Sequence, residues 1–124
     1  FDGNYKDDTN QSNFRVENMT IDLRLDHNND KTTQMQDVIK VRRGAKATVV
    51  NALVKGIGAT GDLIDLTDKK GNGDSSSSIS LTNSLTNPFA GKEINVSGEA
   101  PNVKVEAGNT GCSKTIFAWT KYAF

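Results

Sequence analysis

The chain has 124 residues, 35% of them hydrophobic, and 15 Lys+Arg against 15 Asp+Glu leave no net charge. This length predicts one domain with one core, and the charge balance excludes the broad basic field used to hold nucleic acid. Cys112 is the one cysteine, which excludes an intrachain disulfide, and no apolar run approaches the roughly 20 residues of a membrane-spanning helix. Asn, Thr, Ser and Gly are abundant, and all rank poorly in helix interiors, so strands and turns are expected. A chain that opens on Phe1 rather than Met reads as a processed product, with secretion the expected context.

In chain order, residues 1–13 are polar and aperiodic and predict an extended or disordered arm; the functional alternative is an arm that docks on a neighbour, with Phe1 and Tyr5 its only anchors. Phe14 and Val16 alternate, then the apolar set shifts parity to Met19, Ile21, Leu23 and Leu25. That break at Glu17-Asn18 predicts a bulge or a change of strand. Val38 to Val41 reads as a short strand and Arg42-Arg43-Gly44 as a turn. Ala47 to Val54 is an apolar run whose doubled Val49-Val50 suggests a strand covered on both faces. Glycines Gly56, Gly58 and Gly61 bend the chain into a second run, Leu63 to Leu66. Residues 68–78, with Gly-Asn-Gly and four serines, read as a loop. Further strands are predicted at Ile79 to Leu85, Ile94 to Val96, Val103 to Ala107 and Thr115 to Tyr122. Short strands with turn signals about every 8–12 residues predict an all-β antiparallel β-sandwich of about seven or eight strands, spanning residues 14–124.

Catalytic chemistry finds little support. His27 is the sole histidine and no G-x-S-x-G turn accompanies it; one His and one Cys cannot make a zinc tetrad. Asp26, Asn28, Asp30 and Asp37 fit four positions of a calcium loop, but Lys31 occupies the position that needs glycine, which favours a solvated turn. Asp62, Asp65 and Asp68 look like solvated strand ends. The glycines before Asp62 lack the Lys-Ser/Thr of a phosphate loop. The expectation is a non-enzymatic protein with no cofactor and no metal. Arg42, Arg43, Lys46, Lys69 and Lys70 form a modest basic set, with anionic lipid headgroups as its functional alternative to plain solvation. Phe117, Trp119, Tyr122 and Phe124 suit either one end of a core or an interfacial belt.

Several stretches, taken in order, resemble the aegerolysins, small β-sandwich proteins that bind membrane lipids. Gly58 to Asp68 (GATGDLIDLTD) is similar to that family's G-x-F-D-L-x-D strand, and Asn87-Pro88-Phe89-Ala90-Gly91-Lys92 is similar to its C-P-W-G-S-K segment. Val96-Ser97-Gly98 and Val103-Lys104-Val105-Glu106 follow in the family's order. The family's C-G-R-S-D is Ala52-Leu53-Val54-Lys55-Gly56 here, and its Y-W-D-C-P-W block has become Leu85-Thr86-Asn87-Pro88-Phe89, with most tryptophans gone. The resemblance implies a secreted lipid-binding protein, the docking component of a pore-forming pair, with Phe89, Lys92, Trp119 and Tyr122 as lipid-binding residues. The alternative is a structural subunit of an extracellular filament, coat or other assembly, joined by strand pairing between identical subunits. A sugar-binding domain is a third reading, resting on the Asn/Asp-rich loops and Trp119.

Overall fold

The computed structural model describes residues 1–5, 8–23, 35–57, 60–86, 89–121. Its strands are β1 (Asn13–Glu17), β2 (Thr20–Asp22), β3 (Asp37–Lys40), β4 (Lys46–Gly56), β5 (Asp62–Asp65), β6 (Ser78–Leu85), β7 (Ile94–Asn95) and β8 (Val103–Val105). The segments predicted as strands up to Ala107 all contain one of these.

The pairing departs from the sandwich. One sheet runs β1-β4-β6-β8, with β2 lying beside β4 beyond β1; the other runs β3-β5-β7. Every one of these strand pairs is parallel. The antiparallel sandwich is therefore corrected to a coil: the chain alternates between two sheets, and each pass lays its strand on the preceding pass. Alternating apolar residues mark where a strand lies, but carry no information on its partner's direction. The repeat of roughly thirty residues per pass is that of a β-solenoid.

Stacking sets like residues in columns. Val16, Val49, Ile79 and Val103 occupy one column through the first sheet, and Ile39, Ile64 and Ile94 another through the second. Val41, Ala47, Val54, Leu63 and Leu81 complete a core between the sheets. A third line of backbone contacts joins the coils at a corner: Gly3 donates to Arg42 O, while Arg43 and Gly44 donate to Gly71 O and Asn72 O. The opening residues thus pair with their own chain, and the Phe1 ring lies 5.1 Å from that of Phe14.

The parity break at Glu17-Asn18 is present: β1 ends there and Asn18 takes φ 57. The same device recurs one coil later. Asn51 also has φ 57, and a register shift separates Val49 from Ala52. It lets both Val49 and Ala52 point inward while Val50 is 40% exposed. The doubled valines therefore mark a bulge, not a strand covered on both faces. That description belongs to β5, where Leu63 and Ile64 are both buried.

Over the described residues of the last predicted strand, Thr115 to Lys121, no strand forms. Residues Lys114–Phe117 form one 3-10 turn, leaving Ile116 and Trp119 exposed. Ahead of it, residues 109–112 cross the outer face of the first sheet as a strap. Asn109 bonds to Ser80 and Thr82, Thr110 to Asn51, and the Cys112 N–H to Thr20.

Candidate functional site

Two features cluster beside the second sheet. The first follows from register: Asp37 stands against Asp62, Lys40 against Asp65, and Asp65 against Asn95 on successive coils. Carboxylate oxygens of Asp37, Asp62 and Asp65 all lie within 4.8 Å of one another. The Lys40 ammonium bonds to Asp65 and stands 3.6 Å from Asp37. Thr67 donates its N–H (2.8 Å) and hydroxyl (2.7 Å) to the same Asp65 oxygen. Asp62 accepts from Lys92 N–H and Asn95 Nδ2, each at 2.8 Å, and Asp37 accepts from Asp62 N–H.

Hydrogen bonding, not burial, separates Asp37 from Asp65. Desolvation pushes the Asp37 carboxyl above its ordinary range despite the Asp62 N–H and the Lys40 charge. Desolvation acts on Asp65 in the same sense, but the bonds from Lys40 and Thr67 outweigh it and hold Asp65 below its ordinary range. Burial likewise opposes the Lys40 charge, and Asp65 more than restores it, leaving Lys40 raised. Three carboxylates are the donor set of a hard cation. Here Lys40 supplies one positive charge against Asp37 and Asp65, while Asp62 is held by the Lys92 N–H and Asn95, and these bonds tie three coils together.

The reading of Asp62 and Asp65 as solvated strand ends is thereby corrected. Asp65 is 5% exposed, because register with Lys40 gives its charge a partner out of water. Of the calcium-loop residues, Asp37 belongs to this cluster; Asp26, Asn28, Asp30 and Lys31 lie outside the described residues, as does His27.

The second feature is a groove of about 780 Å³ at the corner between coils, lined by Lys40, Arg42, Arg43, Asp68, Lys69 and Lys70 among others. Turns of successive coils stack there, which brings the two halves of the basic set onto one concavity; Lys46 is not among its lining residues. Arg42 is braced by Asp2 at 3.1 Å and Asp68 at 3.5 Å. The Lys70 N–H, with Arg42, holds the Asp68 carboxyl below its ordinary range.

The expected lipid-binding residues are dispersed. Phe89 packs partly against the core, Lys92 is exposed and Trp119 is 84% exposed. Phe1 and Phe14 are in ring contact, and among the described residues no ring contact pairs Phe89 with Trp119. Tyr122 lies outside the described residues.

Glycine spacing carried a signal for this architecture. A Cβ on Gly61 would stand 1.9 Å from Gln36 O, and one on Gly91 would stand 1.1 Å from Gly61 O. These glycines permit close approach of successive coils, beyond bending the chain. A second signal is internal repetition. Val16-Glu17-Asn18-Met19-Thr20-Ile21 and Val49-Val50-Asn51-Ala52-Leu53-Val54 share the Val-x-Asn pattern and align residue for residue across β1, β2 and β4. No family model matches this chain, and no match to it was found among curated proteins or solved structures.

Proposed function

We propose that this chain is a non-enzymatic structural module that assembles by adding coil to coil, copies stacking end to end through open strand edges in an extracellular filament or coat. The observation that carries this reading is the column Val16–Val49–Ile79–Val103, which ends in an outermost strand at each side. A parallel ladder has no inherent terminus: an outer strand presents backbone groups of the kind its inner neighbours satisfy by pairing. A second copy continues both the hydrogen bonding and the apolar column. Light scattering across a concentration series, with electron microscopy of the largest species, tests the idea. Rods growing along one axis are expected; a monomer at every concentration rejects it.

A second reading, membrane-lipid binding, is favoured by one observation. Ile116 (60% exposed) and Trp119 (84% exposed) project from the same 3-10 turn and its extension. An exposed aliphatic and indole pair is suited to the headgroup boundary of a bilayer. Co-sedimentation with vesicles, and a blue shift of Trp119 fluorescence lost in Ile116→Ser, is the expected result. Unshifted emission with every lipid composition rules it out.

A further inference from the structure

The corner groove holds an arginine in a conformation that arginine rarely adopts. Arg43 has φ 56 and Gly44 after it φ 78, so two successive residues are left-handed where their turn stacks on Gly71 and Asn72. Glycine or asparagine would hold that backbone more cheaply. The side chain placed there is weakly tied. Its nearest acid is Asp2 at 3.6 Å, and its Nε is buried with no hydrogen-bond partner. Arg42, by contrast, is neutralised by Asp2 and Asp68 on either side.

Lys69 and Lys70 enter the same groove from the next coil, and both are exposed. Among the described residues no side-chain hydrogen bond or ion pair engages either ammonium. Asp68 is the acid lining this wall, and it is committed to Arg42. The groove thus gathers one guanidinium and two ammonium groups whose charges are largely unanswered, in a chain with no net charge.

We infer that this groove is an oxyanion site for a phosphate ester, with Arg43, Lys69 and Lys70 as its ligands and Arg42 as a fixed wall. A guanidinium offers paired N–H donors, and lysines offer point charges that adjust to a third oxygen. A phosphate has the oxygens and the charge to engage all three at once; a monocarboxylate satisfies one or two. An anion that enters breaks no ion pair of Lys69 or Lys70, and the guanidinium it meets has only the long contact to Asp2 at 3.6 Å to give up. A lipid headgroup and a soluble phosphorylated molecule present this same chemistry.

The test follows amide resonances of Gly71 and Asn72 by NMR during titration with inorganic phosphate, against sodium chloride at equal ionic strength. Saturable shifts with phosphate alone are expected. The double variant Lys69→Gln/Lys70→Gln should weaken binding at least tenfold. Arg43→Gly, which suits the left-handed backbone and keeps the turn, should do the same, and Lys104→Gln, at an exposed position outside the groove, should leave affinity unchanged. Glycerol phosphate, then vesicles of phosphatidylglycerol against phosphatidylcholine, separate the two sources: vesicle binding lost in the double variant assigns a headgroup, and binding of glycerol phosphate alone assigns a soluble ester. Equal shifts with chloride, or full phosphate affinity in both groove variants, overturn the inference.

Discussion

Asn51 combines a left-handed backbone with a full set of side-chain bonds. Its amide donates to Asn18 Oδ1 at 2.9 Å and Gly111 O at 3.3 Å, and its oxygen accepts the Thr110 N–H at 2.7 Å. One side chain therefore joins two coils and the strap. Asn51→Ala removes these bonds at a backbone position that alanine tolerates poorly, for an expected loss of about 2–3 kcal/mol. Asn51→Gly keeps the backbone and should lose about 1 kcal/mol less. Urea midpoints at unchanged m-value measure both.

Asp65 and Lys40 predict a pH dependence on both sides of neutrality. The folded Asp65 value lies below the ordinary 3.8, so its stabilisation is present above 3.8 and lost as pH falls through the lowered folded value. Lys40 is raised above 10.5, so its contribution is complete below 10.5 and lost as pH rises through the raised value. Asp37 has the opposite sign to Asp65. Its raised value means that ionisation above 3.8 costs stability, which returns as pH falls through the folded value. Asp65→Asn should lose about 2 kcal/mol at pH 7 and flatten the acid limb below 3.8. Asp37→Asn keeps an acceptor for the Asp62 N–H and should cost less. Denaturation curves between pH 2 and about pH 11 decide these signs.

At the scale of elements, β8 tests the assembly proposal. Asn102 accepts from Ile79 and Glu106 donates to Leu81, so by the alternation of a parallel ladder Val103 and Val105 turn their amide groups to the open side. The Val103 N–H is taken by Ala100 O, and among the described residues that of Val105 is left for a neighbour. Val105→Pro removes this donor without touching the β6 pairing. Rods should shorten to monomers in light scattering while far-ultraviolet circular dichroism is retained. Rods of undiminished length in the variant would place the contact elsewhere.

Strand positions were legible for a plain reason. Residues such as Leu63 and Ile64, or Ile79 and Leu81, cannot stay in water, and turn residues bracket them. Direction and partner were not legible from alternation, because a strand of the second sheet stands between each pair of strands that meet in the first. The Val-x-Asn repeat was the available clue, and it is short because each coil keeps only the residues its column and its left-handed asparagine require. The acid cluster was illegible for the same reason. Asp37 and Asp62 are neighbours only once coils stack, and Lys40 meets Asp65 only in that register. The basic set was visible in sequence, but its convergence on one groove depended on the stacked corners. At Thr115 to Tyr122, alternation suggested a strand where the chain makes a 3-10 turn, since side-chain pattern cannot supply a missing edge partner.

For the whole molecule, order along the stack becomes a gradient of protection. β4 and β5 are paired on both sides, whereas β8 and β7 end their sheets. Contacts in a solenoid reach only adjacent coils, so opening starts at an end and moves inward. Hydrogen exchange should be slowest at Val49, Val54 and Ile64 and fastest, among strand amides, at Val105. Uniform protection across the strands would mean that the coils open as one unit.

The corner where Gly3, Arg42 and Gly44 meet Asn72 joins the first three turns with hydrogen bonds directed along the stack, as both sheets join their strands. Tension between the two ends therefore loads these bonds one coil at a time, like a zipper, and the molecule yields in small steps. Tension across a strand loads a whole ladder together in shear and meets far greater resistance. A fibre built from such units would be extensible along its length and stiff across its width.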